Sequence, residues 1–300
     1  HNEKTPSFSV APDKGIYHCF GCGQGGNAVN FVMEYEKISF VDALQQIGNE
    51  LGIKVEFSGD AKSKDFFSEL YSLHTFAAEL YHKTLFSNQA IKAKEYLTNR
   101  GLTEESLKLF KVGFTPKNSS FLLNAIKSKK LSDEIIQKSG LFGRSNSKYY
   151  DRFRSRIIFP ISNSSGKIIA FGGRVFGSDD PAKYMNSPET PLYRKSEVFY
   201  GLNITRKYIR EENNAIIVEG YTDLIQLFQS GIKNVIAVSG TAFTNRHVNQ
   251  IRRLTSKVYL CYDGDTAGVN ASLKAGYSLL KGGVEPLIIL LPNGVDPDEW

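Results

Sequence analysis

Residues 258–268 read VYLCYDGDTAG, and their character changes halfway. Val258, Leu260 and Cys261 are apolar and open the segment as a strand; Asp263 and Asp265 follow with only Gly264 between them. A core has no use for two carboxylates one residue apart, because burying an uncompensated charge is expensive. The pair makes sense where the strand emerges. In an open α/β sheet that place is the ligand-binding edge, outside the carboxyl ends of the strands.

The neighbouring sequence supplies such a sheet. Over 213–300, the strand-like runs AIIVEG, NVIAVSG, KVYLCYDGD and EPLIILLP alternate with the helical runs YTDLIQLFQSG, TNRHVNQIRRL and AGVNASLKAGYSLLKGG. That rhythm implies parallel strands covered by helices. The first strand ends at Glu219, the third at Asp263 and Asp265, and the last runs through a short loop into Asp296 and Asp298. If these strands are neighbours, the acids converge on one edge. Carboxylates so close repel unless a divalent cation neutralises them. Mg²⁺ binds through a few carboxylates plus water and substrate phosphates, and two such ions can clamp an in-line phosphoryl displacement. A lone Asp-Gly-Asp is ordinarily a solvated turn; three acidic strand ends together argue against that here. Asp223 reads either as a further acid of the site or as a first-turn acid favoured by the helix dipole. Cys261 reads as a core thiol.

Outward from this region the chain changes texture. Its 300 residues are too many for one typical domain, and 41% hydrophobic content is enough for real cores. The net charge of +6 favours a polyanionic partner over a membrane, since no apolar run approaches spanning length. A start at His1 and an end just after an acidic cluster predict a fragment cut at both ends. Residues 1–57 are Gly-rich around Cys19 and Cys22 and close with the helix SFVDALQQIGNELG, N-capped by Ser39, with Asp42 in its first turn and Gly52 as its stop. Phe40, Ala43, Leu44, Ile47 and Leu51 form its apolar stripe. FSGDAKSKD, 57–65, reads as a polar linker. Residues 65–140 read as helical, with Phe66, Leu70, Leu73, Ala77 and Leu80 at helix spacing, a break at Gly101, a new helix from Thr103, and GFTPKNSS as a loop. From 149 to 200 the β-branched runs RIIFPIS, KIIAFGGRV and VFYG predict a strand-rich block.

Of three cysteines, Cys19 and Cys22 form a C-x-x-C knuckle, which suits a metal site in a reducing compartment. Structural zinc wants four ligands, and His1 and His18 are the nearby nitrogens; His18, adjacent to Cys19, would have an awkward bite. Phe8, Tyr17 and Phe20 beside Lys4 and Lys14 suit either single-strand stacking or a small core over the metal. Arg152, Arg154 and Arg156 fall at strand spacing on one face, one of them a candidate core-edge ion pair. Arg174, Lys183, Tyr184, Asn186, Arg194 and Lys195 add cations and a stacking ring suited to phosphates and bases. Arg246, His247, Arg252 and Arg253 read as an exposed helix face.

VEGYTD, CYDGDTAG and DPDE are similar to the Toprim motifs shared by primases, topoisomerases and some nucleases. The longer stretches RFRSRIIFPISNSSGKIIAFGGRV, KYMNSPET, VFYGL and HNEKTPSFSVAPDKGIYHCFGCGQGGN resemble the bacterial DNA primase family of the DnaG type. The resemblance spans nearly the whole chain and is weakest over 60–140. It implies an α/β and α+β multidomain fold: a small zinc-ribbon-like domain at 1–57, incomplete at its N-terminus, and a linker at 58–64. Residues 65–212 would then form the mixed α+β N-terminal subdomain of an RNA polymerase domain, and 213–300 a Toprim subdomain with a mainly parallel sheet, truncated at its C-terminus. It further implies catalytic Mg²⁺ (or Mn²⁺) held by Glu219, Asp263 and Asp265 with Asp296 and Asp298 in support. The family's Cys-x-x-His preceding Cys-x-x-Cys makes His1 a zinc ligand with Cys19 and Cys22, the first Cys lying upstream. Arg174, Lys183, Tyr184, Asn186 and Lys195 would line the basic groove for nucleotide and template. The activity implied is primer synthesis from ribonucleoside triphosphates on single-stranded DNA, by a cytoplasmic bacterial monomer that meets the replicative helicase through a C-terminal domain beyond Trp300. The alternatives are a Toprim nuclease or topoisomerase-like DNA cleaver, and a non-catalytic zinc module that binds nucleic acid.

Overall fold

The structure, a computed structural model, describes residues 6–36, 40–53, 55, 61–178, 180–238, 240, 242–292 and 294–297, with backbone alone at 41, 42 and 61–64. His1, Lys4, Ser39, Asp298 and the Asp42 side chain lie outside that description. The chain divides into two compact units, 1–59 and 60–300.

In the first unit, β1 (Phe8–Ala11), β2 (Ile16–Cys19) and β3 (Gly25–Asn27) form a three-stranded antiparallel sheet, and α1 (Ala28–Glu36) and α2 (Phe40–Leu51) follow. This is the small ribbon expected around the cysteine knuckle. The stripe on α2 is less buried than its spacing suggests. Ala43 is buried, but Phe40 and Leu51 are exposed, because so small a unit has little interior to offer.

The second unit opens with α3 (Ala61–Leu85), so residues 61–64, read as linker, are helical. They lack apolar periodicity, yet Ala and Lys propagate a helix at little cost once the packed part has nucleated it. Leu70, Leu73 and Ala77 of α3 are buried among Phe153, Ile158 and Phe171. Next come α4 (Ile91–Asn99), α5 (Glu104–Leu109), β4 (Gly113–Thr115), α6 (Phe121–Ile126) and α7 (Asp133–Lys138). Thr103 caps α5 by accepting from the Ser106 N–H, as its position predicts. GFTPKNSS is not wholly a loop: its first three residues are β4, which pairs antiparallel with β7. Only that pairing partner, some 40 residues away in sequence, makes them a strand.

The hairpin β5 (Phe142–Ser145) and β6 (Lys148–Asp151) precedes β7 (Arg156–Ser162), β8 (Ile168–Val175) and β9 (Tyr184–Asn186), which complete an antiparallel sheet of order β4-β7-β8-β9. The three arginines do not share a strand face. Arg152 and Arg154 precede β7, and Arg156 is buried, bonding the Gly173 and Ala182 carbonyls and pairing with Asp180 at 2.7 Å. VFYG likewise forms no strand beyond a single bridge from Tyr200 to Ala237.

The remainder is α8 (Leu202–Glu212), β10 (Ala215–Val218), α9 (Tyr221–Gln229), β11 (Val235–Ala237), α10 (Asn245–Ile251), β12 (Lys257–Leu260), α11 (Thr266–Lys281) and β13 (Glu285–Ile288). The sheet order is β11-β10-β12-β13, all parallel, which matches the alternation in the sequence. One apolar cluster joins the two sheets: Ile157 and Phe159 of β7 share it with Val218, Tyr221, Ala237 and Cys261. On α10 the face read as exposed is interrupted by His247, which is fully buried against Phe199, its rings 4.6 Å apart. Its Nδ1 faces the N-cap hydroxyl of Thr244, a local bond that an apolar-periodicity pattern does not reveal.

Burial pushes the imidazoles of His74 and His247 down to about 4. The unfolded chain therefore binds these protons first, so stability is lost as pH falls from about 6.5 towards 4. His74, on α3 and stacked on Phe171, should account for up to about 3 kcal/mol of that loss. Denaturant melts of the parent and of His74→Phe at pH 7 and pH 5 check this: the variant should lose less stability than the parent. Equal losses would show that His74 does not titrate in that window.

Candidate active site

The parallel sheet changes direction at its centre. From β10 the chain moves out to β11, then returns to β12 on the other side, which leaves a crevice at the carboxyl ends of β10 and β12. Glu219 directly follows β10. Pairing continues beyond β12, with the Cys261 N–H donating to the Ile217 carbonyl at 2.9 Å, and this carries Asp263 to the same edge.

Gly264 brings in the third acid. Its N–H donates to the Val295 carbonyl at 2.9 Å and its carbonyl accepts from the Gly294 N–H at 3.3 Å. A Cβ there would stand 2.2 Å from the Pro292 carbonyl oxygen, so only glycine lets the two backbones meet. The loop after β13 is thereby tied beside Asp263, and Asp296 joins the cleft. Asp265 is the N-cap of α11, one carboxylate oxygen accepting from the Gly268 N–H at 2.7 Å, and it does not line the cleft. Asp223 does line it. One of its oxygens accepts from the Gly220 N–H at 2.8 Å, so it also caps α9, and both readings of this residue hold in part.

Burial first, and then the charges of Asp263, Asp265 and Asp296, push the Glu219 carboxyl up to about 7; the Asp263 backbone N–H only partly offsets them. Its Oε1 is buried without a hydrogen-bond partner. An orphaned carboxylate oxygen among repelling acids is what a hard divalent cation would satisfy, so the donor set fits Mg²⁺. Among the described residues no three His, Cys, Asp or Glu side chains form a ready-made cage.

The facing wall comes from β8 and β9. Arg174 and Tyr184 are direct cross-strand partners. The guanidinium donates to the Tyr184 hydroxyl at 2.6 Å and lies over the rings of Tyr184 and Tyr96 at 5.3 and 5.5 Å. Lys183, Asn186 and Lys195 complete this side. The cleft, of about 450 Å³, is thus lined by Arg174, Lys183, Tyr184, Asn186 and Lys195 together with Glu219, Asp263 and Asp296. It also contains Arg100, Tyr221, Thr222 and Gly240, which the sequence reading did not select. Arg100 ends α4 just before the break at Gly101; nothing local distinguishes it from an ordinary helix-end cation. Tyr221 lies within the motif VEGYTD, whose acids rather than its tyrosine carry the metal-binding pattern.

In the first unit Cys19 ends β2, and Cys22 follows in the turn. The Ser7 hydroxyl, 3.4 Å from the Cys19 sulfur, and then the backbone N–H of Cys22 hold this thiol down at about 7. Backbone donors aimed at a sulfur favour the thiolate, the form that binds zinc. Phe8 stacks on Tyr17 at 5.5 Å and Phe31 meets Tyr17 edge-on at 5.2 Å, while Phe20 is exposed. Tyr17 therefore packs the small core and Phe20 does not.

Three family models match the chain: the CHC2 zinc finger over 1–63, the DNA primase catalytic core N-terminal domain over 80–206, and a Toprim-like domain over 216–300. The DNA primase of Staphylococcus aureus (strain COL) is 39% identical over 311 residues, covering all of this chain and 51% of the relative. The chain thus spans about half the length of the curated relatives it matches. The solved Aquifex aeolicus primase, zinc-binding and RNA polymerase domains, is 38% identical with a TM-score of 0.73, covering 100% of this chain and 72% of that one. A DnaG primase catalytic domain bound to single-stranded DNA is 36% identical with a TM-score of 0.71, covering 78% of this chain and 74% of that one.

The raised Glu219 carboxyl has a consequence for stability. The folded state holds this proton where the unfolded state does not, so metal-free protein should lose stability as pH rises from about 4.5 to about 7. Glu219→Gln should lose less over the same interval, and at pH 8 Mg²⁺ should raise the melting temperature of the parent more than that of the variant. Thermal melts with and without Mg²⁺ decide it; identical pH slopes and identical Mg²⁺ responses would remove Glu219 from the metal site.

Proposed function

Because this chain belongs to the family of DnaG-type bacterial DNA primases, we propose that it copies single-stranded DNA into short RNA primers from ribonucleoside triphosphates. The observation that carries this reading is the cleft in which Arg174, Lys183, Tyr184, Asn186 and Lys195 face the four carboxylates of Glu219, Asp223, Asp263 and Asp296. A nuclease would need the same acids, but it has less use for a cationic wall with a stacking tyrosine that can grip a triphosphate. A non-catalytic module would have no reason to maintain mutually repelling acids.

Glu219 and Asp263 hold the divalent cation, with the free oxygen of Asp265 and the carboxylates of Asp296 and Asp298 in support. When bound, Mg²⁺ (or Mn²⁺) lowers the pKa of the attacking hydroxyl and neutralises charge on the departing pyrophosphate. Arg174, Lys183 and Lys195 take phosphate oxygens, Tyr184 offers a face to a base, and Asn186 donates a hydrogen bond. His1, Cys19 and Cys22 hold zinc together with an upstream cysteine, and the domain division is 1–57, a subdomain that opens with α3 at Ala61 and runs to 212, and 213–300. The whole protein acts as a cytoplasmic monomer and meets the replicative helicase through a C-terminal domain.

Asp263→Asn should nearly abolish primer yield on single-stranded DNA while leaving template binding and folding close to normal, since Asn keeps the shape and loses the charge. Sizing of labelled products checks it, and full yield from the variant would refute the metal assignment. Cys22→Ser, made in the full-length protein, should lower zinc content; equal zinc in parent and variant would take Cys22 out of the ligand set.

A further inference from the structure

Tyr221 is the first residue of α9, two positions after Glu219, and it is 2% exposed. Its ring stacks on Phe159 with centroids 4.8 Å apart and planes 5° apart, and it meets Tyr200 edge-on at 4.8 Å. The phenol lies in a slot over β8: a Cβ on Gly172 would stand 2.3 Å from its ring carbon Cζ and its hydroxyl oxygen. Gly172 is the direct cross-strand partner of Asn186, so the space a side chain would fill opposite Asn186 is filled by Tyr221 instead. From there the Tyr221 hydroxyl donates to Asn186 Oδ1 at 2.7 Å.

An asparagine amide has an acceptor end and a donor end of nearly the same shape, so packing alone hardly chooses between its two orientations. A hydroxyl, which can donate or accept, fixes where the amide sits, and here it meets the oxygen end. Asn186 Nδ2 then lies on the side of Gly240, 3.8 Å from where a Cβ on that residue would stand, and both residues line the cleft.

We propose that Tyr221 is a positioning residue: its hydroxyl holds the Asn186 side chain at the cleft wall, where the amide serves as a hydrogen-bonding ligand for the incoming ribonucleoside triphosphate. The ring is clamped between Phe159, Tyr200 and the Gly172 backbone, and its own backbone is nearly continuous with Glu219. One residue therefore sets both the position of the nucleotide ligand and its separation from the catalytic acid. The proposal rests on the reading of Asn186 as a nucleotide ligand.

Tyr221→Phe keeps the ring and deletes only the hydroxyl. In the full-length protein, with single-stranded DNA, Mg²⁺ and ATP as the varied nucleotide, this change should raise KM about tenfold. The turnover number should change by less than roughly twofold, because the bond lost serves binding rather than the chemical step. Asn186→Ala should raise KM at least as much, and the double variant should be no worse than Asn186→Ala alone, since the hydroxyl acts through the amide. A normal KM in Tyr221→Phe beside an impaired Asn186→Ala overturns the proposal and leaves the groove reading intact. Additive losses in the double variant overturn it as well, because the tyrosine would then act elsewhere. A normal KM in both single variants removes Asn186 from the nucleotide site, and the proposal falls with it.

Discussion

Carboxylates crowded at one crevice repel one another, and the protein holds them there with bonds the acids do not control. The Cys261–Ile217 ladder bond continues β-pairing past the last regular residue of β12, and two backbone bonds at Gly264 pin the loop after β13 against the Asp263 turn. Backbone ladders set positions to a few tenths of an ångström and do not give way to like-charge repulsion between side chains. The cost appears instead as protonation: Glu219 keeps its proton up to about 7. A cation that takes the place of that proton gains the attraction of every neighbouring acid, which is why so polar a site can be assembled in advance of its ligand.

The opposite wall is held by packing. Phe159, Tyr221, Val218 and Cys261 belong to one cluster that runs from the antiparallel sheet into the parallel one. The cleft lies at the rim of that shared core, so the separation of the cationic groups from the acids is a packing distance. Small-volume changes deep in such a cluster are felt, because interiors are close-packed and transmit strain. Gly172 illustrates this: the space its missing side chain leaves is filled by the ring of Tyr221, at the start of α9.

The acids and the cations are also held in different ways. Asp265 and Asp223 spend part of their bonding capacity on helix N-termini, accepting from the Gly268 and Gly220 N–H groups at 2.7 and 2.8 Å. Each places negative charge where the helix dipole is positive, which offsets some of the repulsion inside the crevice. Arg174, by contrast, is anchored by β8–β9 register and by aromatic rings, lying over both Tyr96 and Tyr184.

By itself the sequence determined the parallel sheet, its acidic strand ends, the cysteine knuckle and several of the polar residues, Arg174, Lys183, Tyr184, Asn186 and Lys195, that line the cleft. Each is written in a local pattern: alternation of strand and helix, carboxylates just after apolar runs, C-x-x-C, and a motif such as KYMNSPET. The tertiary structure decided what depends on partners distant in the chain. Residues 113–115 are a strand only because β7 lies beside them. Arg156 is a buried ion-pair residue rather than a groove residue because Asp180 folds back onto it. His247 is interior because Phe199 covers it. Arg100 and Tyr221 enter the cleft because α4 and α9 happen to end and begin at its rim. Local spacing specifies which face a side chain occupies within its own element; which other element meets that face is set by the whole packed core, and no window of sequence contains it.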